Sequence, residues 1–100
     1  MIKIECLILT TQIVHAILKY DPNKLFNNQV IYDDSFPLNR MESIMSCDNF
    51  DNLLNIEPIQ IKLDYTDKNQ NKFYKIINGR HRVARSIIED RLEINSIILI

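Results

Sequence analysis

The amino-acid sequence predicts one small α+β domain in which helices pack against a mixed sheet. The chain has 100 residues, the length of a single domain. Hydrophobic residues make up 46% of it and charged residues 25%, which is the balance of an ordinary globular protein. Its segments follow the order strand, helix, one or two further helices, two strands, helix and strand, and this order is typical of the α+β class.

The first half is predicted to contain a strand followed by helices. Apolar residues dominate positions 2–9, which indicates a first strand. Apolar residues recur at helical spacing over positions 12–20, and a preceding threonine provides an N-cap. Proline precedes a second helical pattern at positions 38–47, and positions 50–54 fit a further short turn.

The second half has clearer local patterns. Residues 59–63 alternate strictly between apolar and polar, which predicts a half-buried strand. A polar loop over 64–72 leads to a returning strand over 73–77. A helix is expected over 81–90, with Leu92 one turn further on the same inward face. Residues 95–100 form the closing strand.

Charge and glycine are both concentrated in the second half. The net charge of -1 excludes a strongly basic nucleic-acid coat. Residues 72–91 nevertheless carry +4, residues 1–71 carry -4, and four of the five arginines lie between positions 80 and 91. Gly79 is the single glycine, where about seven would be average. A chain that keeps one glycine needs its backbone freedom at that point.

These features coincide where a strand ends and a helix begins. The first N–H groups of a helix lack internal partners, and the helix dipole favours an anion there. Arginines add planar charged groups suited to phosphate, and a histidine donates to an oxyanion or exchanges a proton near neutral pH. The predicted phosphate-binding residues are Asn78, Gly79, Arg80, His81 and Arg82. The alternative is that these arginines only pair with acidic side chains from elsewhere in the chain.

The segment Asn78–Arg82 resembles the ParB/sulfiredoxin superfamily, whose members carry a strand, then Gly-x-(His/Arg)-Arg, then a helix. Ile-Glu-Pro-Ile-Gln-Ile at positions 56–61 is similar to the strand entry that precedes this motif. The resemblance is good over residues 56–100 and fair over 1–20. It implies one ParB/sulfiredoxin-like domain over residues 1–100, with an insertion at 21–36.

The resemblance also implies a function. Members of the superfamily bind CTP, or use ATP or ADP, at this motif, so a nucleotide is expected at Gly79–Arg82, with or without Mg²⁺. Nucleotide hydrolysis or phosphoryl transfer is left open, with His81 and Glu57 as candidate catalytic residues. Sulfiredoxins place a reactive cysteine where this chain has Arg80, which argues against sulfinic-acid repair. No protein metal site is expected.

Two other functions remain open at this point. In the first, the domain is a non-catalytic DNA-binding module whose basic segment 72–91 contacts phosphates through Lys72, Lys75 and Arg85. In the second, it is a degenerate protein–protein adaptor whose final strand pairs with a partner or with a second copy as a homodimer.

The expected location is cytoplasmic or nuclear rather than secreted or membrane-bound. No apolar run approaches the roughly 20 residues of a membrane span. Acidic Glu5 interrupts the first apolar run, so the N-terminus does not match a secretion signal. Cys6 and Cys47 lack metal-ligand spacing and are read as free thiols in a reducing compartment.

Overall fold

A computed structural model describes residues 1–27 and 29–100 of the chain. Its strands are β1 (Ile2–Lys3), β2 (Leu7–Thr10), β3 (Ile31–Tyr32), β4 (Ile59–Thr66), β5 (Lys72–Asn78), β6 (Glu93–Ile94) and β7 (Ser96–Leu99). Its helices are α1 (Thr11–Tyr20), α2 (Met41–Met45), α3 (Phe50–Ile56) and α4 (Arg80–Ile88), with one 3-10 turn over Ile4–Cys6.

Five strands form one mixed sheet in the order β3-β2-β5-β4-β7. β4 and β5 are an antiparallel hairpin, whereas β2 lies parallel to β5, β3 parallel to β2, and β7 parallel to β4. A separate two-stranded ladder joins β1 to β6. The predicted α+β class with a mixed sheet is therefore confirmed.

One face of the sheet is covered by helices and holds the core. Along each strand, side chains that point to this face alternate with side chains that point away from it, as the period of a β-strand requires. The fully buried strand side chains are Leu7, Leu9, Ile59 and Ile61, and the helix side chains that meet them include Ile13, Ile17, Val83 and Ala84. Lys62 and Lys75, which pair with each other on β4 and β5, point to the opposite face and are exposed.

Local signals place α1 and the hairpin where they were expected. The Oγ1 of Thr10 accepts a hydrogen bond from the N–H of Ile13 at 3.3 Å, so this threonine is the N-cap of α1. Asp67 closes the hairpin, because its Oδ1 accepts from the N–H groups of Asn69 and Asn71, each at 2.9 Å. The loop is consequently shorter than predicted and the two strands are longer.

Other boundaries differ from the prediction for tertiary reasons. The first strand is interrupted by the 3-10 turn, and α2 covers five residues instead of ten. Leu92 is 83% exposed and does not face the core, because α4 ends at Ile88 and Asp90 then turns the chain with a φ of 58°. Within residues 21–36, position 28 lies outside the described residues, and the remainder supplies β3 at the sheet edge.

None of the helices in the described ranges has the length and apolar character needed to cross a membrane.

Candidate functional site

Gly79 joins β5 to α4 in a conformation that other residues rarely adopt. Its φ is 114°, in the left-handed region. A Cβ at this position would lie 2.5 Å from Cγ2 and 2.9 Å from Cβ of Ile59, and 3.1 Å from Nη2 of Arg82. The single glycine of the chain is therefore required twice, by its backbone angle and by the close approach of Ile59.

The start of α4 opens onto a pocket of about 480 Å³. No described side chain caps this helix start, so its first N–H groups are left for water or a ligand. Asn78, Gly79, His81 and Arg82 line it together with Arg40, Ser43, Ile44, Cys47, Leu53 and Glu57, and we call these ten residues the wall. Four of the five predicted phosphate-binding residues and both candidate catalytic residues thus belong to this wall.

Arg82 is the buried cation of this wall, with 9% of its surface exposed. Its Nη1 donates to the carbonyl oxygen of Glu57 and lies 3.8 Å from Oε2 of the same residue. Burial lowers the pKa of the Arg82 guanidinium, while the Glu57 carboxylate opposes that shift and Arg40 adds to it. These contacts with Glu57 use Nη1 and fix the orientation of the guanidinium group. Its other terminal nitrogen, Nη2, lies next to Gly79 at the start of α4.

His81 is held as a neutral ring. Its Nε2 accepts a hydrogen bond from the backbone N–H of Arg40 at 3.1 Å, so the proton of the neutral ring is on Nδ1. Burial lowers the pKa of His81, and the positive charges of Arg40, Arg80 and Arg82 lower it further. Two of these three guanidinium groups lie near a carboxylate, Arg80 near Asp34 and Arg82 near Glu57.

Arg80 turns away from the pocket, although it belongs to the same helical turn. Its Nη1 donates to the carbonyl oxygen of Phe36 at 2.5 Å and lies 3.9 Å from Oδ2 of Asp34. Asp34 in turn accepts from the N–H of Gln12 at 3.2 Å. Arg80 thereby connects the segment before α2 with the starts of α1 and α4, which matches the pairing alternative stated for these arginines.

Arg85 is also committed to contacts within the fold. Its Nη1 donates to the carbonyl oxygens of Ile44 at 2.7 Å and Cys47 at 2.9 Å, and its Nε donates to Glu89 at 3.1 Å. The guanidinium carbon stands 4.3 Å from the centroid of the Phe50 ring. These contacts hold the end of α2 and the start of α3 against α4.

The basic segment 72–91 is therefore not one continuous surface. Lys72 and Lys75 are exposed on β5, outside the pocket wall, whereas Arg85 is turned toward α2. The three predicted nucleic-acid residues are not brought together by the fold.

Arg40, Ser43 and Cys47 belong to the wall but were not among the predicted site residues. They lie more than 30 residues before Gly79, and only tertiary packing of α2 against α4 brings them to it. One sequence signal existed for Arg40, because it is the single arginine outside the cluster at 80–91. Cys6 and Cys47 are both free thiols.

Carboxylate groups are scarce at this site. Among the described residues that line the pocket, Glu57 alone carries one, and no cluster of three or more His, Cys, Asp or Glu side chains suited to a metal ion occurs within the described ranges.

Comparisons with known proteins leave the chain without a matching relative: no protein-family model, no curated protein and no solved structure matches it. The resemblance to the ParB/sulfiredoxin superfamily accordingly stays a prediction that rests on residues 56–61 and 78–82.

Proposed function

We propose that the pocket at the start of α4 binds the phosphate groups of a small ligand, and that this ligand is a nucleotide. The observation that carries the proposal is the uncapped start of α4, which opens onto a wall containing Arg40 and Arg82. The resemblance to the superfamily favours ATP, ADP or CTP within the nucleotide class.

The balance of charge supports an anionic ligand. Arg40 and Arg82 are permanently charged, His81 is neutral near pH 7, and Glu57 supplies one negative charge. The wall therefore has a net charge of +1, to which the helix dipole adds. Since Nη1 of Arg82 is occupied by Glu57, Nη2 and the N–H groups of the helix start are the donors available to phosphate oxygens.

The size and lining of the pocket suit more than inorganic phosphate. Its volume of about 480 Å³ lies within the usual range of small-molecule sites. Ile44 and Leu53 provide apolar surface next to the charged groups. Such a pairing fits a ligand with a phosphate end and a less polar ring.

Turnover of the nucleotide would involve Glu57 and His81. Glu57 is the carboxylate of the wall and is suited to accept a proton from an attacking water or hydroxyl group. The Nδ1–H of His81 is a donor for developing negative charge. Glu57→Gln is then expected to retain binding and lose hydrolysis, as measured by release of inorganic phosphate.

The direct test is calorimetric titration with ATP, ADP, CTP and inorganic phosphate, each with and without Mg²⁺. Arg40→Ala is the informative variant, because its side chain is exposed and its removal does not disturb the core. Loss of this contact is expected to weaken nucleotide affinity at least tenfold, from the roughly 1.5–3 kcal/mol of a charged hydrogen bond. Lys68→Ala, in the hairpin turn, is the matched control and should bind like the wild type.

Cys47 provides a second readout inside the pocket. In a Cys6→Ser background, the rate of alkylation of Cys47 should fall when a nucleotide occupies the pocket, since both compete for the same space. Unchanged alkylation at saturating nucleotide, or equal affinity of Arg40→Ala and the wild type, would place the ligand elsewhere and refute the proposal.

A further inference from the structure

The sheet face opposite α1 and α4 carries aromatic rings and lysines. We call it the outer face and define it by Tyr32, Lys62, Tyr65, Phe73, Lys75 and Ile77. The neighbouring pair Ile61 and Ile76 points to the helices. Because successive side chains of a strand point to opposite faces, the paired Lys62 and Lys75 point to the outer face. Tyr32, Lys62, Lys75 and Ile77 are each exposed, and the rings of Tyr65 and Phe73 are half-buried.

Two of the rings form a stacked pair across the hairpin. Tyr65 and Phe73 are direct partners on β4 and β5, with ring centroids 5.0 Å apart and an angle of 19° between their planes. Each ring uses one side in this pair and keeps part of its surface exposed. Tyr32 pairs with Thr10 of β2, two residues after Ile8, which pairs with Lys75, so the third ring belongs to the same face.

The lysines of the outer face lack acidic partners. Lys62 and Lys75 stand directly opposite each other, an arrangement that is destabilising for like charges. Within the described residues, no carboxylate comes within ion-pair distance of Lys62, Lys75 or the adjacent Lys72. Asp64, at the bulge of β4, and Asp67, in the hairpin turn, are the acidic residues near Tyr65, and against Lys62, Lys72 and Lys75 their two charges leave a net charge of +1.

We propose that the outer face binds a short stretch of single-stranded nucleic acid. The stacked pair and Tyr32 offer ring surfaces to unpaired bases, and Lys62 and Lys75 meet the phosphates between them. Rings and uncompensated cations on one open sheet are the combination that single strands require, because stacking on an aromatic side chain needs a base that is not already paired. A duplex would offer only its phosphates to this face.

This surface is separate from the pocket at the start of α4. None of its lysines or aromatic rings lines that pocket, and Arg40 and Arg82 are absent from the outer face. The proposal therefore stands whether or not the pocket binds a nucleotide.

The test is fluorescence anisotropy with a labelled eight-nucleotide oligothymidylate, beside a blunt duplex of equal length. The single strand should bind more tightly than the duplex. The double variant Lys62→Gln/Lys75→Gln removes a repulsive pair and is expected to fold. Its affinity should fall at least tenfold, and the slope of log Kd against log salt should decrease by about 1.4, since each phosphate contact on a single strand contributes roughly 0.7.

Phe73→Leu tests the stacking contribution while keeping an apolar side chain. A loss of about tenfold is expected, within the range for one base stacked on a ring. Tyr20→Ala, an exposed tyrosine at the end of α1, is the control and should bind like the wild type. Unchanged affinity of the double lysine variant, equal affinity for duplex and single strand, or an equal loss in the Tyr20→Ala control would overturn the proposal.

Discussion

Gly79→Ala tests the physical account of the junction that shapes the pocket. Two costs can be worked from the structure. Placing a Cβ at a φ of 114° costs about 1–2 kcal/mol. Overlap of that Cβ with Ile59, at 2.5 and 2.9 Å, adds about 1–3 kcal/mol as overpacking. The restriction of the unfolded chain offsets roughly 0.4–1 kcal/mol. The free energy of unfolding should therefore fall by about 3 kcal/mol.

Urea denaturation followed by circular dichroism measures this change, and Gly79→Asn is the matched variant. Asparagine tolerates a positive φ far better than alanine does, but its Cβ meets the same atoms of Ile59. We expect asparagine to recover no more than about 1–2 kcal/mol of the loss, the share that belongs to the backbone angle. A loss below about 1 kcal/mol for alanine, or full recovery with asparagine, would refute the reasoning, because the overlap would then carry no energy.

Three further predictions concern other parts of the structure. The pKa of His81 is lower in the folded protein than in the unfolded chain, so the unfolded chain binds more protons and wild-type stability falls as the pH drops below about 6.5. His81→Gln should reduce this decline in urea midpoints measured from pH 4.5 to 8. Parallel pH profiles of the variant and the wild type would show that His81 does not cause the decline. Arg85→Lys should lower the free energy of unfolding by about 1.5–3 kcal/mol, because a lysine cannot serve two carbonyl groups and a ring together. An effect below about 0.5 kcal/mol in denaturant titrations would show those contacts to be dispensable. Leu92→Ser should leave thermal stability within about 0.5 kcal/mol of the wild type, and a larger loss would mean that Leu92 is buried after all.

Features fixed by neighbouring residues were predictable. The strict alternation in β4 and the polar turn before β5 predicted a hairpin, which the structure confirms. A cap at Thr10 or Thr11 was predicted, and Thr10 provides it, because its oxygen has to reach an N–H only three residues away. The junction at Gly79 was recognised because the sequence avoids glycine everywhere else.

Features that depend on distant partners were not predictable. Arg80 and Arg82 occupy the same helical turn, and the sequence does not distinguish their roles. Which one faces the pocket is decided by where Asp34 and Glu57 arrive in the fold. The hydrogen bond from the backbone N–H of Arg40 to His81 likewise joins residues 41 positions apart, and only the fold supplies it.

The parallel pairing of β2 with β5 has a consequence for how the protein is made. Leu7 of β2 finds its partner Tyr74 of β5 67 residues later in the chain. At a synthesis rate of about 5–20 residues per second, β2 waits roughly 3–13 s before β5 exists. During that interval β2 can pair only with the two-residue edge strand β3, and Leu7 and Leu9, which end fully buried, lack the central strands of the sheet. The nascent N-terminal half is therefore the stage at which these apolar side chains stay exposed longest, and the hairpin of β4 and β5 is the element that completes their burial.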